Sequence, residues 1–349
     1  MADGVLYFPY ISVPQNAWFA RVLLYWDEVG SIVPEPHADD LSRVSDFMRD
    51  LVRAELVRPI VPERFDSRLG AAMGPFLNFV DSDAEIAARA KAGFGSGQAT
   101  RGGSKPGTVM HIHRGKFGIV LGRQLIDRGL ARPAGDGRRP REWLEVESRT
   151  ASAFMAHLAA TLGSFEDVDM DPITDSLSSL EPFAPTAPAE PLALAAELRM
   201  GVLEGVLPGP EEDLSVAALV DFKERHGEHL GRFRRHVENH VLDLATIPDA
   251  DVREAKRRLF MDELADEIAE IQVRMQPKWT KLVFGTLCGV LGAAIPVGAA
   301  LATGALPVAG AALPGLMNAV YSAQAAVRRS GDTGRHPLAY AALARERFA

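Results

Sequence analysis

The sequence is short of cysteine and of positive charge. Cys288 is the single cysteine, so no disulfide bond forms within the chain, which is typical of proteins in a reducing compartment. The net charge of −8 gives no general attraction to phosphate backbones, and we expect no nucleic-acid partner. The opening residues, MADGVLYFPYISVPQ, lack the basic start and apolar stretch of a signal peptide. These absences predict a cytoplasmic protein.

Several motifs of known chemistry are also missing. There is no Gly-x-Ser-x-Gly elbow, and the loop GSGQATRGGSKPG lacks the Walker spacing of a phosphate-binding loop. The zinc-protease pattern needs Glu directly after its first His, which HVENH does not provide. The acidic segment EDVDMDPITD has Pro172 where a calcium loop needs glycine; it is either an acidic connection between two helices or a divalent-metal site. We therefore predict no cofactor and no metal, and we name no catalytic residue.

The length of 349 residues favours two domains. Before residue 180, amphipathic helical patterns alternate with β-branched and apolar runs, which predicts an α/β domain with a partly parallel sheet over residues 1–180. The proline-rich residues 181–191 are typical of a linker. Residues 192–349 predict an all-α helical bundle. The predicted strands are VLYFPYI, LVRPIVP, TVMHIHRG and EWLEVES.

Local signals place some of the helix boundaries. Asn16 can cap a helix that we expect to cover residues 17–33, because apolar side chains recur there at helical spacing. Residues 66–92 are expected to be helical, with a break or kink at Gly74-Pro75. After the linker we expect helices over residues 192–207, 215–245 and 250–276.

The N-terminal half carries a recognisable pair of segments. They are Tyr-Phe-Pro-Tyr-Ile at residues 7–11 and Leu-Leu-Tyr-Trp-Asp-Glu at residues 23–28, followed by RTASAFMAHLA, PITD and DFKERHGEHLGRFRRHVE. In these segments the chain resembles a bacterial family of unknown function that is common in actinobacteria. The resemblance covers most of the chain and implies an intracellular bacterial protein, and it transfers no active site.

Residues 282–327 contain no charged side chain. This length suffices for two helical arms with a turn near residues 303–307, and Gly285, Gly289 and Gly292 would let helix backbones pack closely. The arms are rich in Ala and Gly, so they gain little from entering a membrane. We expect a hydrophobic hairpin buried in the helical bundle. Two alternatives are a hairpin that enters a membrane when released and a permanent membrane anchor.

Four histidines lie within one predicted helix. One of them, His226, falls within an apolar stripe and the other three lie along one border of it; the stripe is formed by Leu219, Phe222, Leu230, Phe233, Val237, Val241 and Leu244. Protonation near pH 6 would penalise packing at such a border, which makes these histidines candidates for a pH switch. The alternative is a solvated face beside arginines. The candidates are His226, His229, His236 and His240.

The α/β domain contains one group of basic residues suited to an anionic ligand. They follow or lie within the glycine-rich loop and the strand after it, where His111 and His113 should point to one face. The alternative is a mobile surface loop. The candidate binding residues are Arg101, Lys105, His111, His113 and Lys116.

Two hypotheses for function follow from these features. The first is a non-enzymatic interaction or effector protein, whose helical domain shields the hydrophobic hairpin and uses it for membrane insertion, for homo-oligomer formation or for contact with a protein partner. The second is an enzyme or ligand-binding protein with an anionic-ligand pocket in the α/β domain and the hairpin as inert core. Membrane association would then be confined to the first hypothesis.

Overall fold

A computed structural model describes residues 4–92, 109–134, 142–175, 190–209, 214–275 and 336–348. The chain divides into two compact units. The first comprises residues 1–190 together with 209–223, and the second comprises residues 191–208 together with 224–349. An α/β region with a parallel sheet is thus followed by a helical region, as the sequence predicts.

The first unit is built on a parallel sheet of four strands in the order β3-β2-β1-β7. Backbone hydrogen bonding pairs β1 with both β2 and β7, so the strand order changes direction at β1. The carboxyl ends of all four strands therefore lie at one edge. The strands are β1 (Gly4–Tyr7), β2 (Glu28–Ile32), β3 (Val57–Ile60) and β7 (Met170–Ile173).

A smaller antiparallel sheet of three strands, in the order β4-β6-β5, belongs to the same unit. Its strands are β4 (Val109–His113), β5 (Ala131–Pro133) and β6 (Trp143–Glu147). His113 pairs with Trp143 across β4 and β6, so the end of β4 lies beside the start of β6.

Helix α7 (Ser148–Gly163) contacts strands of both sheets. Its alanine-rich sequence allows this close packing, and Phe154, Leu158 and Leu162 are fully buried in the shared core. The other helices of this unit are α1 (Ala17–Tyr25), α2 (Glu35–Asp39), α3 (Asp46–Arg53), α4 (Asp66–Ser82), α5 (Ala84–Ala92) and α6 (Gly118–Asp127). Short 3₁₀ turns cover Leu41–Arg43, Pro62–Phe65 and Arg114–Lys116.

The described part of the second unit is helical. Its elements are α8 (Glu190–Val206), α9 (Val216–Ala245), whose first turns belong to the first unit, α10 (Ala250–Met275) and α11 (Ala339–Phe348). The predicted apolar stripe of α9 is buried along its whole length. Helix α11 packs on α10, and its Tyr340 ring stacks on Phe233 of α9.

The structure corrects five details of the predicted elements. The first strand ends at Tyr7, and the helix capped by Asn16 ends at Tyr25, because residues 28–32 form the buried strand β2. Helix α4 continues through Pro75, and the break falls at Asp83, whose carboxylate accepts hydrogen bonds from the first amides of α5. Strand β5 was not predicted. Strand β7 lies in the acidic segment, which connects a helix to a strand and not two helices.

Candidate functional site

Polar side chains gather at the carboxyl edge of the parallel sheet. Pro9 follows β1, His37 follows β2 within α2, and Glu63 follows β3 within a 3₁₀ turn. Because these three strands are parallel neighbours, the three segments leave the sheet side by side. In open parallel sheets this edge is the common position of ligand sites.

The antiparallel sheet adds a lysine at the same edge. Strand β4 ends at His113, and the following turn carries Lys116 inward, where only 4% of the residue is exposed. The Lys116 Nζ donates a hydrogen bond to the main-chain oxygen of Pro9 at 3.0 Å. The end of β1 and the turn after β4 are therefore joined by this bond.

His113 is held beside this lysine with its ring oriented. Its Nδ1 accepts a hydrogen bond from the amide of Gly115 at 3.1 Å, so a neutral ring carries its proton on Nε2. That nitrogen is 3.5 Å from Glu142 Oε2, and no hydrogen bond with acceptable geometry reaches it from the described residues. His113 is 4% exposed. Its Nε2–H is thus a buried donor that faces the Glu142 carboxylate.

Glu63 supplies a buried acceptor. Its Oε1 accepts a hydrogen bond from the amide of Glu35 at 3.2 Å, and within the described ranges its buried Oε2 has no hydrogen-bond partner. A side chain at Gly115 would overlap Glu63 Oε1, so glycine is needed where the turn passes the carboxylate. The carboxylate is therefore held in position on one side and unsatisfied on the other.

Three rings form one wall of the site. His37, His113 and Trp143 contact one another edge to face, with centroids 5.2 to 6.2 Å apart and planes 82° to 88° apart. The buried Nδ1 of His37 finds no partner in the part of the chain that the structure describes. We refer to His37, Glu63, His113, Lys116 and Trp143 as the Lys116 cluster.

Burial shifts the proton affinities of the Lys116 cluster. It lowers the pKa of Lys116 to about 7, although the Glu63 carboxylate opposes the shift. Burial raises the pKa of Glu63, and the negative charge of Glu35 adds to the effect. Burial is the main cause that lowers the pKa of His37 and of His113, and the Glu142 carboxylate opposes the shift of His113. The amine and the carboxyl can therefore both exchange protons closer to neutral pH than exposed groups would.

The structure places the predicted anion-binding residues in different surroundings. His113 and Lys116 come together in the Lys116 cluster. His111 instead lies 3.6 Å from Glu145, whose carboxylate also pairs with Arg132 at 2.6 Å. Arg101 and Lys105 lie outside the described residues.

The four candidate pH-switch histidines are half-buried on α9. The rings of His226 and His229 lie near each other, with centroids 6.2 Å apart. His236 and His240 both contact the ring of Phe260 on α10. Burial lowers the pKa of His236 and of His240.

The hairpin over residues 282–327, with Gly285, Gly289 and Gly292, lies outside the described residues. In the described ranges, no group of three His, Cys, Asp or Glu side chains is arranged to hold a metal ion. None of the helices that the structure describes is long and apolar enough to span a bilayer.

Sequence reasoning missed His37, Glu63 and Trp143. A signal for two of them exists, because Ile-Val-Pro-Glu occurs at residues 32–35 and again at 60–63. The two copies end the neighbouring strands β2 and β3, where Ile32 pairs with Ile60. Each copy thus carries a glutamate past the same edge of the sheet, with His37 just beyond the first copy.

No family model, curated protein or solved structure matches this chain. Function must therefore be inferred from the chemistry of the Lys116 cluster itself.

Proposed function

We propose that the first unit binds a small anionic molecule in the Lys116 cluster and that Lys116 and Glu63 serve there as an acid–base pair. The observation that carries this proposal is the Lys116 side chain, which is buried and, among the residues that the structure describes, has one acceptor, the oxygen of Pro9. An ammonium group has three N–H donors. Two of them remain for a bound anion.

The place of the cluster in the fold supports a ligand site. It lies beyond the carboxyl ends of β1, β2 and β3, beginning at the strand where the sheet order reverses. In related architectures the diverging loops at this point leave a crevice for ligands. A purely structural ammonium group is a poor choice here, because an apolar side chain of similar volume usually stabilises a buried position as well or better.

An anion would shift the proton balance of the site. With a pKa of about 7, Lys116 is roughly half protonated at neutral pH, and a bound anion favours the charged form. Binding should therefore take up protons. Glu63, whose pKa is raised by burial, is the nearby group that can supply or accept such a proton.

The test compares wild-type protein with Lys116→Met and with Lys91→Met, a control lysine that is exposed on α5 of the same unit. Acetate and inorganic phosphate are titrated by calorimetry at pH 6.5 and constant ionic strength. We expect binding to wild type and to Lys91→Met, and a loss of affinity of about tenfold or more in Lys116→Met, because a charge-assisted hydrogen bond is removed. Equal affinity in all three proteins, or no binding to any, would overturn the proposal.

A further inference from the structure

The hydrogen-bonding groups of the Lys116 cluster do not match one another. Lys116 Nζ has N–H donors beyond the one that it gives to Pro9, whereas the His113 Nε2–H faces the Glu142 carboxylate at 3.5 Å. Glu63 Oε2 offers a buried acceptor that receives no hydrogen bond from Lys116 or from any other described residue. Buried polar atoms in folded proteins nearly always have partners, so this inventory describes what a ligand has to bring.

A simple anion satisfies only the donors. Its oxygens could accept from Lys116, but while Glu63 is ionised the same oxygens would repel the Glu63 carboxylate, which then needs a donor. The ligand must therefore present an anionic oxygen and a hydrogen-bond donor close together. A hydroxyl group meets this need without adding a second positive charge beside Lys116.

We infer that the ligand of the Lys116 cluster is a small 2-hydroxy carboxylic acid, with its carboxylate on Lys116 and its hydroxyl donating to the ionised Glu63 Oε2. This inference depends on the proposed function and specifies its ligand class.

Glycolate and acetate provide the direct test, since they differ by one hydroxyl group and neither is chiral. We expect wild-type protein to bind glycolate at least tenfold more tightly than acetate, measured by calorimetry at pH 6.5 and at pH 8. A site built to pair with a hydroxyl discriminates strongly against an analogue that lacks it, because its own buried group is then left unpaired.

Variants then assign the hydroxyl contact to Glu63. Glu63→Gln replaces one carboxylate oxygen with an NH₂ donor, so we expect the preference for glycolate over acetate to fall towards unity. Glu166→Gln is the matched control, because this side chain is exposed in the turn that follows α7 of the same unit. It should keep the preference, and circular dichroism confirms that both variants fold.

The outcomes separate this inference from the proposed function. Equal binding of glycolate and acetate to wild type, with both weakened in Lys116→Met, would leave the anion site standing and overturn the hydroxy-acid assignment. Tighter binding of glycine than of glycolate would overturn it in favour of an amino acid. If wild type binds none of the three, the proposed function fails as well. The wild-type comparison holds even if a variant does not fold.

Discussion

Lys116 Nζ lies 3.0 Å from the main-chain oxygen of Pro9, to which it donates a hydrogen bond. Pro9 stands just beyond the first strand of the parallel sheet, and Lys116 stands just beyond the first strand of the antiparallel sheet. The bond therefore fixes the point where the two sheets meet at the carboxyl edge. It also leaves the amine buried with one acceptor, which determines how this residue responds to pH.

Replacing Lys116 with Met should change how stability depends on pH. The pKa of Lys116 is about 7 in the folded protein and about 10.4 in an unfolded chain, so the unfolded state binds the extra proton between these values. The wild-type free energy of unfolding consequently gains a contribution as pH rises through this window. Between pH 7 and pH 9.5 we expect the free energy of unfolding of wild type to rise by roughly 2 to 4 kcal/mol relative to that of Lys116→Met.

Urea denaturation followed by circular dichroism at the two pH values measures this difference. At pH 7 the variant should be at least as stable as wild type, since methionine fills a similar volume without a buried charge. Lys91→Met, at an exposed position, should differ from wild type in free energy of unfolding by the same amount at both pH values. A variant that is equally destabilised at both pH values would contradict the assigned shift and show that the hydrogen bond to Pro9 dominates.

The Lys116 cluster was only partly predictable from the sequence. His113 and Lys116 could be identified because they belong to a group of basic residues in and after the glycine-rich loop and the predicted strand that follows it. Glu63 and His37 could not be joined to them, since they lie on strands that neighbour one another only after the sheet forms. Recognising β2 was the missing step: once residues 28–32 are a strand, the repeated Ile-Val-Pro-Glu places two glutamates at one edge.

Gly115→Ala should disturb the contact between the turn and Glu63. A methyl group there would overlap Glu63 Oε1, so the variant must displace either the carboxylate or the turn that carries Lys116. We expect a loss of about 1 to 3 kcal/mol, as is usual for overpacking. The comparison variant is Gly70→Ala on α4, an exposed position where the added methyl meets no atom within 4 Å outside its own helix turn and should stabilise the helix by roughly 0.5 to 1 kcal/mol.

A double-mutant cycle identifies the clashing partner. If the carboxylate is responsible, Gly115→Ala should cost much less in a Glu63→Ala background than in wild type, and thermal unfolding of the four proteins gives the coupling energy. An unchanged cost in that background would mean that the strain lies in the turn itself and not in its contact with Glu63.

The helical region was the easier part of the fold to predict, for reasons visible in single elements. Helix α9 shows an uninterrupted apolar stripe from Leu219 to Leu244 that only one periodicity fits. Strand β2 shows no alternation, because Val29 to Ile32 are all buried, and Val29 happens to continue the helical spacing of α1. Strand β7 contains a charged residue and a proline, which an edge strand tolerates but which argue against a strand in sequence alone.

Arg199 and Glu238 form a nearly buried ion pair between α8 and α9. The Arg199 Nη2 donates a hydrogen bond to Glu238 Oε2 at 2.9 Å. The Arg199 side chain is 16% exposed and the Glu238 side chain is 8% exposed. Arg199→Ala leaves a buried carboxylate without this pair, so we expect a loss of about 3 to 5 kcal/mol. Arg199→Met with Glu238→Met should recover much of it in thermal unfolding. A single Arg199→Ala variant as stable as wild type would show that Glu238 has sufficient solvation of its own.

The packing of α9 on α10 should weaken in acid because of His240. Burial lowers the pKa of His240, and the charges of His236 and Lys256 oppose its protonation, while Asp243 and Glu263 favour it. The unfolded chain therefore takes up the proton first, as pH falls below about 6.5, and stability is lost from that point downward.

His240→Gln removes this titration, so the melting temperature of the variant should fall less than that of wild type between pH 7.5 and pH 5. The control is His229→Gln, whose ring lies near Arg232 on the same helix, whereas the His240 ring stacks on Phe260 of α10. Scanning calorimetry at both pH values measures the effect. Parallel curves for wild type and His240→Gln would contradict it, because the acid sensitivity of this unit would then come from other groups.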